Sequence, residues 1–135
     1  MTKAVFFDFF GVIEKAGAPN KVLLTYIRAK LKPKYKIGII SNAAADWVGE
    51  ILETEDVKLF DDIVISYKVG VTKPNPAIYR LALEHLGVKP EEAIFIDDIE
   101  VYCDAARAVG IRAIFYENFE QMESELEPLL TISDK

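Results

Sequence analysis

Cysteine is almost absent from this chain: Cys103 stands alone, so no internal disulfide can hold it together. Glycine and proline are sparse, at seven and six residues, and no stretch rich in either divides the sequence. That excludes a flexible linker and a low-complexity or disordered polymer. The 135 residues therefore read as one domain, residues 1–135, near the commonest domain size. Positive charge is in deficit. Lys and Arg number 16 against 22 Asp and Glu, a formal net charge of −6, the wrong sign for a surface that must neutralise many nucleic-acid phosphates. The apolar N-terminal run from Ala4 to Ile13 is interrupted by Asp8 and has no small-residue cleavage site. The expectation is a cytoplasmic protein with no membrane and no nucleic-acid partner.

What is present is apolar material in short blocks, with hydrophobic residues at 51% of the chain. Runs of strand length fall at Ala4 to Phe9, Lys36 to Ile40, Asp62 to Ser66, Ala93 to Ile96 and Ile111 to Tyr116. Segments of helical period lie between them, at Pro19 to Lys32, Ala43 to Glu53, Asn75 to Leu86, Ile99 to Val109 and Asn118 to Leu130. Alternation of this kind predicts an α/β fold with a parallel sheet. Because the strand runs are apolar throughout, both faces of the sheet should be covered, giving three layers. Asn75 followed by Pro76 predicts a capped helix start, and Gly87 and Gly110 predict helix ends.

Polar groups recur where strands end or helices begin: Asp8, the pair Ser41 and Asn42, Lys73, and the pair Asp97 and Asp98. In an open parallel sheet ligands bind beyond the carboxyl ends of the strands, which would bring these groups together. Each also has a local explanation. Asp8 could face water, although a charge among Phe6, Phe7, Phe9 and Phe10 is costly unless paired or coordinated. Ser41, Asn42 and Asp98 could cap the helices that follow them. Lys73 has no such role, because a cation beside a helix N-terminus opposes the dipole. As a set they suit phosphate chemistry: Asp8 and Asp98 offer hard oxygen ligands for Mg²⁺, while Ser41 and Lys73 offer a hydroxyl and a point charge for phosphoryl oxygens.

The segments FFDFFGVI, IISN, VTKPNPAIY and FIDD followed by DAARAVG closely resemble, in order, the four motifs of the haloacid dehalogenase (HAD) superfamily, nearest the branch that includes many small-molecule phosphatases. The resemblance runs from Ala4 to about Tyr116. It implies a Rossmann-like sheet of strand order 5-4-1-2-3 and Mg²⁺-dependent hydrolysis of a phosphorylated substrate, small or macromolecular. By the same resemblance Asp8 would be nucleophile and metal ligand, and Phe10 would lend its backbone carbonyl to the metal. Ser41, Asn42 and Lys73 would hold the phosphoryl group, and Asp98 and Asp97 would complete the metal site.

Two departures stand out. Phe10 occupies the place where phosphatases of the family usually carry a second aspartate for acid–base work, worth about 10²–10⁴-fold in rate. Tyr102 stands where relatives often carry Asp or Asn, which would weaken the metal site. The alternatives are a non-catalytic phosphate- or metal-binding domain and, less favoured because of Asp97 and Asp98, a dehalogenase. Only 32 residues, Phe9 to Ile40, separate Asp8 from Ser41, too few for the helical cap many relatives insert there; Gly11 to Ala18 can form a small flap. Exposed Phe9, Phe10, Val12 and Ile13 would then favour a homodimer closing the open crevice. Cys103, His85 and Trp47 read as structural, with Trp47 packed into the fold.

Overall fold

The structure, a computed structural model, describes residues 1–133. The first strand, β1 (Ala4–Phe7), is buried at every position, as an apolar run flanked on both sides and both faces must be. It pairs in parallel with β4 (Lys36–Ser41) on one side and β6 (Ala93–Asp97) on the other. The outer strands β5 (Asp62–Ile65) and β7 (Arg112–Phe115) complete the sheet β5-β4-β1-β6-β7. The short hairpin strands β2 (Glu14–Lys15) and β3 (Ala18–Pro19) lie outside it. Counting only the five sheet strands in chain order, the arrangement reads 5-4-1-2-3, the order expected. The α/β, Rossmann-like class expected of the sequence is the class observed.

Successive side chains of β1 serve opposite faces. Val5 and Phe7 enter a core with Leu23, Leu24, Ile27, Leu31, Met122 and Leu126, beneath α1 (Lys21–Tyr26), the wider π-turn that continues it over Ile27–Leu31, and α7 (Phe119–Ser133). Ala4 and Phe6 enter a second core with Ile78, Tyr79, Ala82, Leu83 and Ala106, beneath α5 (Pro76–Leu86) and α6 (Glu100–Ala108). Gly38 of β4 makes room for this face: a Cβ there would come within 2.7 Å of the Phe6 ring.

Asn75 caps α5, its Oδ1 accepting from the Ala77 N–H at 2.9 Å, with Pro76 at the first turn and Gly87 left-handed at the end. The helix expected from Ala43 to Glu53 is instead two single turns, α2 (Val48–Ile51) and α3 (Thr54–Val57). Ala43 is tied across to the Ser66 hydroxyl through its N–H and C=O, at 2.9 and 3.0 Å, and extended Leu52 separates the two turns. Ser66 itself opens an unanticipated turn, α4 (Ser66–Val69).

The expected flap exists as the β2–β3 hairpin, and no cap lies between β1 and β4. The exposed apolar patch does not exist as expected. Phe9, Val12 and Ile13 are fully buried in the first core, and of the four only Phe10 meets solvent. The chain turns inward at Gly11, and Asn20 Nδ2 holds the Val12 carbonyl at 2.9 Å. Trp47, expected to pack, is 47% exposed. Among the described residues no helix is long and apolar enough to cross a membrane. The densest run of cations, Arg28, Lys30, Lys32, Lys34 and Lys36, leads into the N-terminal end of β4, remote from the strand ends that carry Asp8 and Ser41.

Candidate active site

Asp8 follows the last residue of β1, and its N–H reaches the Ile96 carbonyl of β6 at 2.9 Å. Asp97 closes β6, Asp98 follows it, and Ser41 closes β4. The central strands thus deliver these side chains to one edge of the sheet. Asp8, Asp97 and Asp98 each bring a carboxylate oxygen within 4.8 Å of the other two. Lys73 arrives from the loop before α5, and its side chain is fully buried at this edge. Its Nζ donates to Asp8 Oδ1 and to Asp97 Oδ2, each at 2.7 Å. The ammonium also lies 5.3 Å from the Phe95 ring centre and 5.0 Å from that of Tyr102, within cation–π range.

The helix-capping explanations fail for Ser41, Asn42 and Asp98. No helix begins at Ser41 or Asn42, and the N–H of Ile99 is taken by Asp97 Oδ1 at 3.0 Å, not by Asp98. Asn42, expected to hold phosphate, binds the Lys73 loop with its side chain. Its Oδ1 accepts the Lys73 N–H at 2.8 Å, and its Nδ2 donates to the Lys73 carbonyl at 2.9 Å and to the Tyr102 hydroxyl at 3.2 Å. Both amide hydrogens are spent, so the side chain has no free donor for a phosphoryl oxygen; it positions the Lys73 loop. Ser41 is buried at the strand end. Phe10 rests its ring edge-on against Phe9 at 5.1 Å.

Burial dominates the electrostatics. Desolvation pushes Asp8 up to about 7, against the opposing pull of Lys73 and with further upward pressure from Asp97 and Asp98. Asp97 is likewise raised by burial despite its bond to Lys73. With all three carboxylates ionised, the single ammonium leaves two negative charges uncompensated. Asp98 Oδ1 is buried with no hydrogen-bond partner, which is costly for a carboxylate unless a cation binds it. The donor set is all hard oxygen and suits a divalent cation.

Gly11 is a site residue that motif reading missed. Its φ is +86°, and a Cβ would lie 2.1 Å from Asp98 Oδ2, so only glycine lets the chain pass over that carboxylate. A glycine three residues after Asp8 was visible, but nothing local signals a contact 87 residues away in sequence. Tyr102, expected to weaken the metal site, accepts from Asn42 through its hydroxyl and faces the Lys73 ammonium with its ring. Cys103 is buried, with its thiol pushed up to about 12 by desolvation, and it donates to the Asp97 carbonyl at 3.5 Å, in keeping with an inert thiol. His85 sits in the last turn of α5, 2.8 Å from Asp62.

The model of haloacid dehalogenase-like hydrolases matches residues 15–110. The chain belongs to that family. As an HAD hydrolase it is 37% identical over 107 residues to the glyceraldehyde 3-phosphate phosphatase of Pyrococcus furiosus, covering 76% of this chain and 43% of that one. It spans about half or less of the length of the curated relatives it matches. Its fold superposes on an uncharacterized protein of Corynebacterium glutamicum with a TM-score of 0.84 at 21% identity, over 96% and 95% of the two chains. A HAD-family enzyme of Bacteroides thetaiotaomicron, solved with magnesium and inorganic phosphate, gives a TM-score of 0.73 at 19% identity, over 87% and 95%. Likeness at those identities speaks to the fold.

Proposed function

We propose that this HAD hydrolase is a Mg²⁺-dependent phosphohydrolase that works through an aspartyl-phosphate on Asp8. The observation that carries the reading is the convergence of Asp8, Asp97 and Asp98 within 4.8 Å of one another, with Lys73 buried against two of them and Ser41 at the adjoining strand end. The phosphatase relative and the magnesium-phosphate complex of a structural neighbour agree with it. Asp8, Asp98, Asp97 and the Phe10 carbonyl would hold Mg²⁺, which neutralises charge on the phosphoryl oxygens when bound. Lys73 fixes Asp8 through Oδ1 and leaves Oδ2 to attack phosphorus. Two of its three N–H bonds are spent on carboxylates; the third, with the Ser41 hydroxyl, can take phosphoryl oxygens. The P–O bond to the leaving group breaks, and water then attacks the aspartyl-phosphate to release inorganic phosphate and restore the carboxylate.

Phe10 cannot protonate the leaving group, so turnover is slowed by about 10²–10⁴-fold, about 3–5 kcal/mol of barrier, relative to a site with an acid there. The same observation favours a second reading, a phosphate- and metal-binding domain without turnover. Phosphate release from acetyl phosphate, whose leaving group needs no acid, separates the two. The expected result is release that requires Mg²⁺ and falls to background in Asp8→Asn. Mg²⁺ binding with no release would select the second reading.

A further inference from the structure

We infer that the phosphate ester taken by this site carries an aryl leaving group, received by an apolar rim formed by Tyr67, Trp47, Phe10 and Ile99. The inference rests on the phosphohydrolase reading above and names its substrate class. Large apolar side chains exposed among the described residues are few: Met1, Phe10, Val22, Trp47, Tyr67, Ile99 and Val101. Four of them stand on the segments that leave the carboxyl ends of β5, β4, β1 and β6, which are successive neighbours in the sheet. In that order they are Tyr67, Trp47, Phe10 and Ile99, exposed at 47%, 47%, 36% and 45%.

The segments are joined in pairs around the carboxylates. Gly11 passes against the Asp98 carboxylate, which sets Phe10 and Ile99 one residue to either side of a contact. The Ser66 hydroxyl binds the backbone of Ala43, and Lys68 Nζ reaches Asp46 Oδ2 at 3.5 Å, which ties the segments of Tyr67 and Trp47. Three aromatic rings and an isoleucine in this place offer mostly apolar surface, which gains from covering an aromatic ring.

The missing acid points the same way independently. With Phe10 where a proton donor would stand, the leaving oxygen must depart with its bonding pair and find its proton in solvent. A phenol ionises near ~10, as tyrosine does, whereas an alkyl alcohol, nearer the ~15.7 of water, departs badly without an acid. As Asp8 Oδ2 bonds to phosphorus, the aryl oxygen takes the P–O electron pair and leaves as phenolate; water then cleaves the acyl phosphate.

Steady-state kinetics with Mg²⁺ on 2-naphthyl phosphate, glycerol 3-phosphate and acetyl phosphate test this, since acetyl phosphate has an activated leaving group and no ring. The expected results are a KM for the naphthyl ester at least tenfold below that for acetyl phosphate, and kcat/KM at least a hundredfold above that for glycerol 3-phosphate. In Trp47→Ser and Ile99→Ser, shown to be folded by circular dichroism, the naphthyl KM should rise toward the acetyl value. A tyrosine-phosphorylated peptide run alongside tells a protein source of the aryl phosphate from a small molecule. Equal KM values in the wild type, or folded variants that keep the low naphthyl KM, would overturn the aryl assignment alone. Acetyl phosphate left intact would bring down the phosphohydrolase reading itself.

Discussion

Lys73 is the residue on which the site's stability turns, because among the described residues its ammonium is the only cation bonded to Asp8 and Asp97 and its side chain has no access to solvent. Removing one partner of a buried ion pair costs about 3–5 kcal/mol, since the charge left behind is neither solvated nor compensated. Lys73→Met should therefore lower stability by about that much at pH 8 in metal-free buffer. At pH 5 the loss should shrink, because the orphaned carboxyls can take protons there. Urea unfolding at both pH values measures the difference; an equal loss at each would mean that Lys73 contributes packing and not charge. The composition made Lys73 conspicuous, as a cation next to a helix start. That it would meet Asp8 and Asp97 followed from their places at strand ends; that one ammonium bonds both, across 65 and 24 residues of chain, is a product of the tertiary structure.

At the scale of elements, the helices were legible wherever caps and period agreed, as in α5 between Asn75 and Gly87. They were misread where a distant side chain intervened, as Ser66 does at Ala43. The C-terminal helix contains an avoidable local conflict. Pro128 lies inside α7 and is exposed, so it lacks the N–H that would reach Ser124 and crowds that carbonyl without a packing reward. Pro128→Ala should raise stability by about 1–3 kcal/mol, read as a higher urea midpoint with unchanged slope. A lower midpoint would show that a bend at Pro128 is needed to seat Met122, Leu126 and Leu130 on the sheet.

For the whole molecule the consequence is a pH dependence that metal should reverse. Asp8 is held at about 7 in the fold against about 3.8 unfolded, and Asp97 is also raised. Between those values the folded state binds more protons than the unfolded one, so stability falls as pH rises through the window. Asp61 acts oppositely. Burial opposes its ionisation, but Lys32 and the Ile37 N–H hold its pKa below the usual value, so its contribution is present at neutral pH and lost in acid. The melting temperature in EDTA should therefore decline from about pH 5 to about pH 7. Millimolar Mg²⁺ should cancel the decline, because a cation replaces the proton as the partner of the ionised cluster and stabilises the state it binds. Scanning calorimetry across that range, with and without Mg²⁺, checks both; a decline of the same size in Mg²⁺ would remove the cluster as a metal site.

The apolar blocks and their spacing were enough to determine a parallel α/β sheet, its strand order once the family resemblance was seen, and the identity of the charged residues at its edge. Hydrophobic period and cap chemistry are local and survive in one dimension. The tertiary structure alone decided what those residues do to one another. It set the Asn42 side chain on the Lys73 loop, laid Gly11 against the Asp98 carboxylate, buried Val12 and Ile13, and left Phe10 and Trp47 exposed. Each of these rests on contacts between segments far apart in the chain, whose geometry is set by strand pairing and packing and leaves no periodic or compositional trace.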